Sequence, residues 1–68
     1  MQQRSFDTIR VGKKYRLSNY GETFEFEVMK RLDGSNFLLK DLYTLEEYQL
    51  EDLIRWGRGN DFEFDELY

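Results

Sequence analysis

The amino-acid sequence predicts an all-β fold of five short antiparallel strands, with one helical turn before the last strand. Apolar and polar residues alternate with a period of two in several segments, which is typical of strands with one buried face. Clusters of Gly, Asn, Asp and Ser separate these segments, and such clusters form turns. The 68 residues allow one small domain, and the 18% of aromatic residues supply its core, because each ring buries about 150–250 Å².

The first strand is predicted to begin at Ile9. We expect residues 1–7 to be a frayed N-terminal segment and residues 8–68 to form the domain. The inward face of the first strand consists of Ile9, Val11, Tyr15 and Leu17. Gly12 and Lys13 interrupt the alternation, and a glycine within a strand is typical of a bulge or a sharp bend.

The clearest strand pattern covers residues 23–29, where apolar residues alternate with acids. The predicted core-facing residues are Phe24, Phe26 and Val28, and the predicted water-facing residues are Glu25 and Glu27. A loop is predicted before this strand at residues 18–22, and a turn after it at residues 33–36. The apolar run 37–40 follows, so residues 23–41 are predicted to form a β-hairpin.

The segment 42–56 permits two interpretations. One is a single helix that begins at Thr44. On this interpretation Thr44 is the N-cap and Glu47, three residues later, completes a capping box.

The other interpretation of this segment is a turn at residues 43–45, a strand over residues 46–50 and a single helical turn over residues 52–55. Tyr48 and Leu50 then face the core. We favour this interpretation because the surrounding pattern has a period of two and a small antiparallel domain needs a further strand to complete its sheet.

The last strand is predicted at residues 61–65, after a glycine-rich loop at residues 56–60. Five short strands with a helical turn before the last resemble the SH3-like and Tudor-like barrels over residues 8–67. The parts that carry the resemblance are residues 11–15, the hairpin 24–41, the helical turn 51–54 and the segment 62–64, whose inward residues are Phe62 and Phe64. The resemblance implies a five-stranded SH3-like barrel. The proline-binding signature of signalling SH3 domains is absent from the sequence, so a proline-rich ligand is not implied.

Charge is distributed unevenly along the chain, whose formal net charge is −4. Residues 1–16 carry five basic residues and one acid, whereas residues 46–68 carry eight acids and two arginines. We expect the basic segment to pair with the acidic segment, within the chain or in another copy. The alternative is that the basic segment forms a binding patch.

The composition argues against catalysis. The chain has no His and no Cys, which are the residues that most often act as general base, thiol nucleophile or metal ligand. Its acid pairs alternate with apolar residues, as on the solvated face of a strand. We therefore expect no enzyme activity, no cofactor and no metal site. No apolar run reaches the roughly 18 residues of a membrane span, so we expect no membrane segment and a cytoplasmic location.

The candidate binding residues are aromatic and arginine side chains, and the aromatic ones fit no core-facing pattern. They are Trp56, Arg55, Arg58, Tyr20 and Tyr43. Trp, Tyr and Arg are the residue types that contribute most to protein interfaces. We therefore predict a small non-catalytic interaction or assembly module that binds a protein partner or a second copy of itself.

The alternative function is nucleic-acid binding, with bases stacked on Trp56 between Arg55 and Arg58 and with the basic N-terminal strand near the phosphates. The net charge of −4 disfavours it, because phosphate attraction supplies most non-specific affinity. A purely structural role is a third interpretation. Trp56 would then cap one end of the barrel, and the arginines would pair with Glu51, Asp52 or Asp61.

Overall fold

The computed structural model describes residues 9–67, which form one five-stranded antiparallel sheet and one short helix. The elements in chain order are β1 Lys14–Asn19, β2 Glu22–Asp33, β3 Asn36–Asp41, β4 Glu47–Gln49, α1 Leu50–Leu53 and β5 Glu63–Leu67. The strands lie in the order β4-β3-β2-β1-β5, so β4 and β5 are the two ends of the sheet and the sheet is not closed into a barrel. The all-β prediction is confirmed. The fraying expected at residues 1–7 falls outside the described residues.

The inner face of the sheet carries the core. Tyr15 is fully buried, and its ring stacks on Phe64 of β5 with 5.1 Å between the ring centres. The buried apolar residues are Ile9, Tyr15, Leu17, Phe26, Val28, Phe37, Leu39, Leu50, Phe62 and Phe64. All three residues predicted to face inward in segment 23–29 are buried or pack against this core. Each fully buried large side chain contributes about 1.5–3 kcal/mol, so a chain this short depends on all of them.

The segment after β3 follows the favoured interpretation. β4 is followed directly by α1, so the hypothesis of a single helix from Thr44 is wrong. The Asp52 carboxylate accepts the N–H of Gln49 at 3.1 Å, which helps the chain begin its helical turn at Leu50. Leu50 is buried and Tyr48 packs against the core, as predicted. The helical turn begins two residues earlier than the sequence predicted.

A two-residue turn, Tyr20-Gly21, joins β1 to β2. Both residues adopt positive φ angles, 52° and 77°, and Asn19 pairs with Glu22 on either side of them. This is the backbone pattern of a type I′ turn, whose twist matches that of the strands. The predicted loop over residues 18–22 is therefore too long, because β1 extends to Asn19 and β2 begins at Glu22.

A bulge precedes β1. Gly12 donates its N–H to the carbonyl of Val28 at 2.8 Å, and Lys13 accepts the N–H of Val28 at 2.9 Å, so two residues lie opposite one. The φ angle of Gly12 is 90°, which an L side chain rarely adopts. The bulge predicted here is confirmed. It also interrupts the alternation, so Ile9 is buried but Val11 is 56% exposed, and the prediction that Val11 faces inward is wrong.

The second half of β2 contains two further irregularities. Met29 and Leu32 are the extra residues at two register shifts between β2 and β3. A strand bends and twists more strongly at each such bulge. Both side chains are exposed, so the strict alternation of the first half of β2 does not continue through the second half.

Opposite charges face one another on the outer face of the sheet. Arg16 lies opposite Glu25 on one side and Asp65 on the other, and its Nε is 2.8 Å from the Glu25 carboxylate. A second row of alternating charges crosses the strands and consists of Glu47, Lys40, Glu27 and Lys14. In the β1–β5 register Arg16 is the basic residue of the N-terminal segment that lies opposite an acid of the C-terminal segment, Asp65, but its ion pair is with Glu25.

Candidate interaction site

The Trp56 loop, residues 54–61, connects α1 to β5 and lies against the turn of the first hairpin. Asn19 provides three of the hydrogen bonds between them. Its amide nitrogen donates to the carbonyl of Leu53 at 3.2 Å and to that of Gly57 at 3.0 Å, and its amide oxygen accepts the N–H of Gly59 at 2.8 Å. Asn19 is almost completely buried, so these bonds satisfy its polar atoms where water does not reach. Together they determine the path of the loop.

Asp61 connects the far end of the Trp56 loop to the same turn. Its carboxylate accepts the N–H of Gly21 at 2.7 Å and the N–H of Tyr20 at 2.9 Å. These two backbone hydrogen bonds favour the ionised carboxylate and hold the pKa of Asp61 below its usual value. The turn and the loop therefore meet through a charge-assisted contact.

The side chain of Tyr20 makes the third connection. Its phenol donates a 2.6 Å hydrogen bond to the carbonyl of Trp56. Its ring covers Gly59 so closely that a Cβ atom there would lie 3.0 Å from two ring carbons. Tyr20 remains 54% exposed, so this candidate binding residue both positions the loop and contributes to its surface.

Trp56 is displayed on this loop rather than packed into the core. Its side chain is 81% exposed, the highest value among the exposed large apolar residues. Among residues 9–67 the indole makes no hydrogen bond and no ring contact; only the backbone of Trp56 is held. The interpretation in which Trp56 caps one end of the core is therefore wrong.

The two arginines beside Trp56 are restrained by neighbouring side chains. Arg55 forms a 2.9 Å ion pair with Asp52, one of the partners considered from the sequence. The Arg58 guanidinium lies over the ring of Phe62, 4.8 Å from its centre. Both arginines are part of the Trp56 loop, and the positive charge of Arg55 is partly compensated by Asp52.

Tyr43 occupies a different surface. It is 76% exposed in the turn between β3 and β4, and its phenol donates to the carboxylate of Glu25. Glu25 also accepts from Arg16, and the bonds from Tyr43 and then Arg16 lower the pKa of Glu25. The hydrogen bond to Glu25 also raises the pKa of Tyr43. The structure therefore brings four of the five candidate residues to the Trp56 loop and its turn, but leaves Tyr43 on the outer face of the sheet.

The sequence pointed to Tyr20 but not to Asn19, Gly59 or Asp61, which also hold the site together. Asn19 was expected in a loop, and Asp61 was expected to begin the last strand. Asn19 bonds to Gly59, 40 residues away, so no short-range pattern connects them. Gly59 has little room for a side chain because the ring of Tyr20 covers it, and the sequence does not show that contact.

Lys13 and Lys14 of the basic N-terminal segment lie away from this site. Lys14 begins β1 and Asn19 ends it, and at about 3.3 Å per residue the strand separates them by about 17 Å. Since Asn19 holds the Trp56 loop, Lys13 and Lys14 lie at the opposite end of the strand. The nucleic-acid hypothesis needs the Trp56 loop and these lysines to lie close together, and they are not adjacent.

Residues 9–67 contain neither a candidate metal-binding cluster nor a candidate membrane-spanning helix. These residues contain no group of three or more acidic side chains placed to hold a metal ion. None of their helices has the length and apolar character needed to cross a membrane. No protein-family model, curated protein or solved structure matches the chain.

Proposed function

We propose that this chain is a small, non-catalytic interaction module that binds a protein partner, or a second copy of itself, through the Trp56 loop. The observation that carries the proposal is the 81% exposure of Trp56 on a loop fixed by hydrogen bonds to the first hairpin. Trp is usually mostly buried, and exposed Trp residues are enriched at the centres of protein interfaces.

The anchoring of the loop supports a binding role. A loop that must become ordered on binding loses conformational entropy, which weakens the complex. Asn19, Tyr20 and Asp61 already hold the backbone on both sides of Trp56. The indole is thus presented at little entropic cost, and partner binding would bury the apolar area that is exposed in the free chain.

The arginines are proposed to border the contact rather than form its centre. Arg55 is paired with Asp52 and Arg58 lies over Phe62, so both guanidinium groups are restrained on the loop that displays the indole. Charges at the rim of an interface contribute mainly to orientation and association rate. Tyr43 is proposed as a separate contact residue, since it lies with Glu25 on the outer face.

The proposed fold type is SH3-like, with the sheet open between β4 and β5. The strand order β4-β3-β2-β1-β5, with α1 directly before the last strand in the chain, supports this assignment. In such folds the function lies in the surface residues and not in the fold itself, so the binding proposal depends on the Trp56 loop.

Nucleic-acid binding is the second candidate, and two observations disfavour it. Arg55 is compensated by Asp52, and Lys13 and Lys14 lie at the opposite end of β1. A single-stranded oligonucleotide that quenches Trp56 fluorescence, with an affinity that falls steeply as salt increases, would favour this function over the first.

The experiment compares Trp56→Ala with Leu45→Ala, a matched control that removes an apolar side chain, 62% exposed, from a different turn. Sedimentation velocity measures self-association, and affinity capture from the native cell measures partner binding. We expect Trp56→Ala to lose the association or the captured protein, Leu45→Ala to retain it, and both to unfold at the wild-type temperature. Retention of all association by Trp56→Ala would contradict the proposal.

A further inference from the structure

A second surface lies at the end of the sheet opposite the Trp56 loop. The N–H of Gly12, in the peptide group that follows Val11, donates to the carbonyl of Val28, in the peptide group that precedes Met29, at 2.8 Å. Val11 and Met29 therefore lie next to each other, although they are distant in sequence. We call this surface the basic end, and it consists of Arg10, Val11, Lys13, Lys14, Met29 and Lys30.

The basic end concentrates cations that the remainder of the described chain does not bind. Among residues 9–67, no hydrogen bond or ion pair involves the side chains of Arg10, Lys13 or Lys30. In contrast, Arg16 and Arg55 each form an ion pair within the chain. An acidic protein thus presents a local excess of positive charge at one end of its sheet.

Apolar side chains lie among these cations. Val11 is 56% exposed because the Gly12 bulge interrupts the first strand, and Met29 is 37% exposed because it is the extra residue of a bulge in β2. Bulges of this kind aim side chains in directions that a regular strand would not allow. A Met side chain also adapts its shape to different apolar partners.

We propose that the basic end docks an acidic segment of a partner protein, with the carboxylates of that segment beside Arg10, Lys13 and Lys30 and an aliphatic side chain against Val11 and Met29. Charge complementarity selects an acidic occupant. Val11 and Met29 are aliphatic, and the six residues of the basic end include no aromatic ring on which a base could stack. The surface therefore suits a protein segment better than a nucleic acid.

The acidic residues around the basic end also oppose a long polyanion. Glu27 on β2 lies opposite Lys14. Glu66 lies on β5, on the other side of β1, opposite Tyr15. A phosphate backbone that extended beyond the cations would meet these carboxylates, whereas a short peptide segment would not. This proposal does not depend on the function of the Trp56 loop.

The probe is a short capped peptide of Glu and Leu residues, titrated into the isotope-labelled full chain at low ionic strength. Two further probes carry the same charge: a peptide with Ser in place of each Leu, and a single-stranded oligothymidylate. We expect the Glu-Leu peptide to bind most tightly and to shift the amide resonances of residues 10–14 and 29–31. The emission of Trp56, the only Trp in the chain, should not change, because it lies at the other end.

Matched charge variants test which cations are responsible. The double variant Lys13→Gln/Lys30→Gln should weaken binding of the Glu-Leu peptide by about two- to thirty-fold, since it removes two exposed ionic contacts that contribute about 0.2–1 kcal/mol each. The control Arg16→Gln/Lys40→Gln changes the net charge equally but lies outside both the basic end and the Trp56 loop, and it should change the affinity by less than about two-fold.

Three results would overturn the proposal. One is that no probe shifts the resonances of the basic end. Another is that both double variants weaken binding equally, which would indicate a net-charge effect only. The third is that the oligothymidylate binds the same amides more tightly than the Glu-Leu peptide, which would assign the basic end to nucleic acid.

Discussion

The phenol of Tyr20 donates a 2.6 Å hydrogen bond to the backbone carbonyl of Trp56, 36 residues later in the chain. This bond joins the turn of the first hairpin to the loop that displays the most exposed aromatic side chain. The hydrogen bond holds the backbone of Trp56 and leaves its indole in solvent. The backbone carbonyl of Trp56 thus fixes the loop, whereas its indole is the exposed group. The anchoring of the loop and the contact made by the indole can therefore be tested separately.

The first prediction concerns this bond. Tyr20→Phe keeps the ring over Gly59 and removes only the donor, so we expect the free energy of unfolding to fall by about 0.5–1.5 kcal/mol. The indole of Trp56 should become more mobile. Urea unfolding and fluorescence anisotropy measure the two effects. Tyr43→Phe is the control, and it should leave the anisotropy unchanged because Tyr43 bonds to Glu25 on the outer face. An unchanged anisotropy in Tyr20→Phe would show that this bond does not restrain the loop.

The second prediction concerns Asn19. Asn19→Ala leaves the carbonyls of Leu53 and Gly57 and the N–H of Gly59 without their partner at a nearly buried position. We expect a loss of about 2–3 kcal/mol, because each buried polar group without a partner costs about 1–3 kcal/mol and the loop can relax towards water. The loss should exceed that of Tyr20→Phe in the same urea experiment. A loss below that of Tyr20→Phe would mean that Asn19 is not the main anchor of the loop.

The third prediction tests the register of β2. Phe26 is fully buried, so Phe26→Ala should cost about 3–5 kcal/mol, which is enough to unfold so small a chain. Glu27, the next residue, points to the outer face opposite Lys14 and Lys40, and Glu27→Ala should cost about 0–1 kcal/mol. Circular dichroism during thermal unfolding distinguishes the two variants. A cooperative transition near the wild-type temperature for Phe26→Ala would contradict this register.

The fourth prediction concerns acid. Backbone N–H groups, that of Gly21 first, lower the pKa of Asp61 in the folded chain, and hydrogen bonds likewise lower the pKa values of Asp41 and Glu25. Because the unfolded chain then binds protons at a higher pH than the folded chain, these groups stabilise the fold above about pH 4, near the ordinary pKa values of Asp and Glu. That stability should be lost as the pH falls through the folded pKa values.

Urea unfolding between neutral pH and strong acid measures this dependence. Asp61→Asn should reduce the change in stability across the acidic range, whereas Asp33→Asn, an exchange at the exposed end of the second hairpin, should leave most of it. A stability that rises on acidification would contradict the sign of all three pKa changes.

Short-range pattern accounts for most of the fold. The alternation around Phe26 predicted a strand and its inward face, and both are confirmed because side-chain direction in a strand depends on adjacent residues. Gly12 predicted a bulge, since few other residues adopt its positive φ. The consequence for Val11 was not predictable, because it depends on how the bulge pairs with Val28 on another strand.

The candidate site was less predictable from the sequence. Trp56 was identified by its residue type and its lack of a core-facing pattern, whereas the hydrogen bonds of Asn19 and Tyr20 that hold its loop were not predicted. Those bonds join residues more than 30 positions apart. Asn19 and Gly21 predicted a loop at residues 18–22, but its reduction to a two-residue turn was not predictable, because Tyr is an unusual residue at a positive φ.

The environment of the Trp56 indole in the complex tests the central claim most directly. The chain has one Trp, so labelling with 5-fluorotryptophan gives a single ¹⁹F signal that no unlabelled partner can obscure. We predict that the captured partner, or self-association at high concentration, shifts this signal and reduces its response to a soluble paramagnetic quencher. A complex that forms while the signal and its accessibility remain those of the free chain would contradict the account.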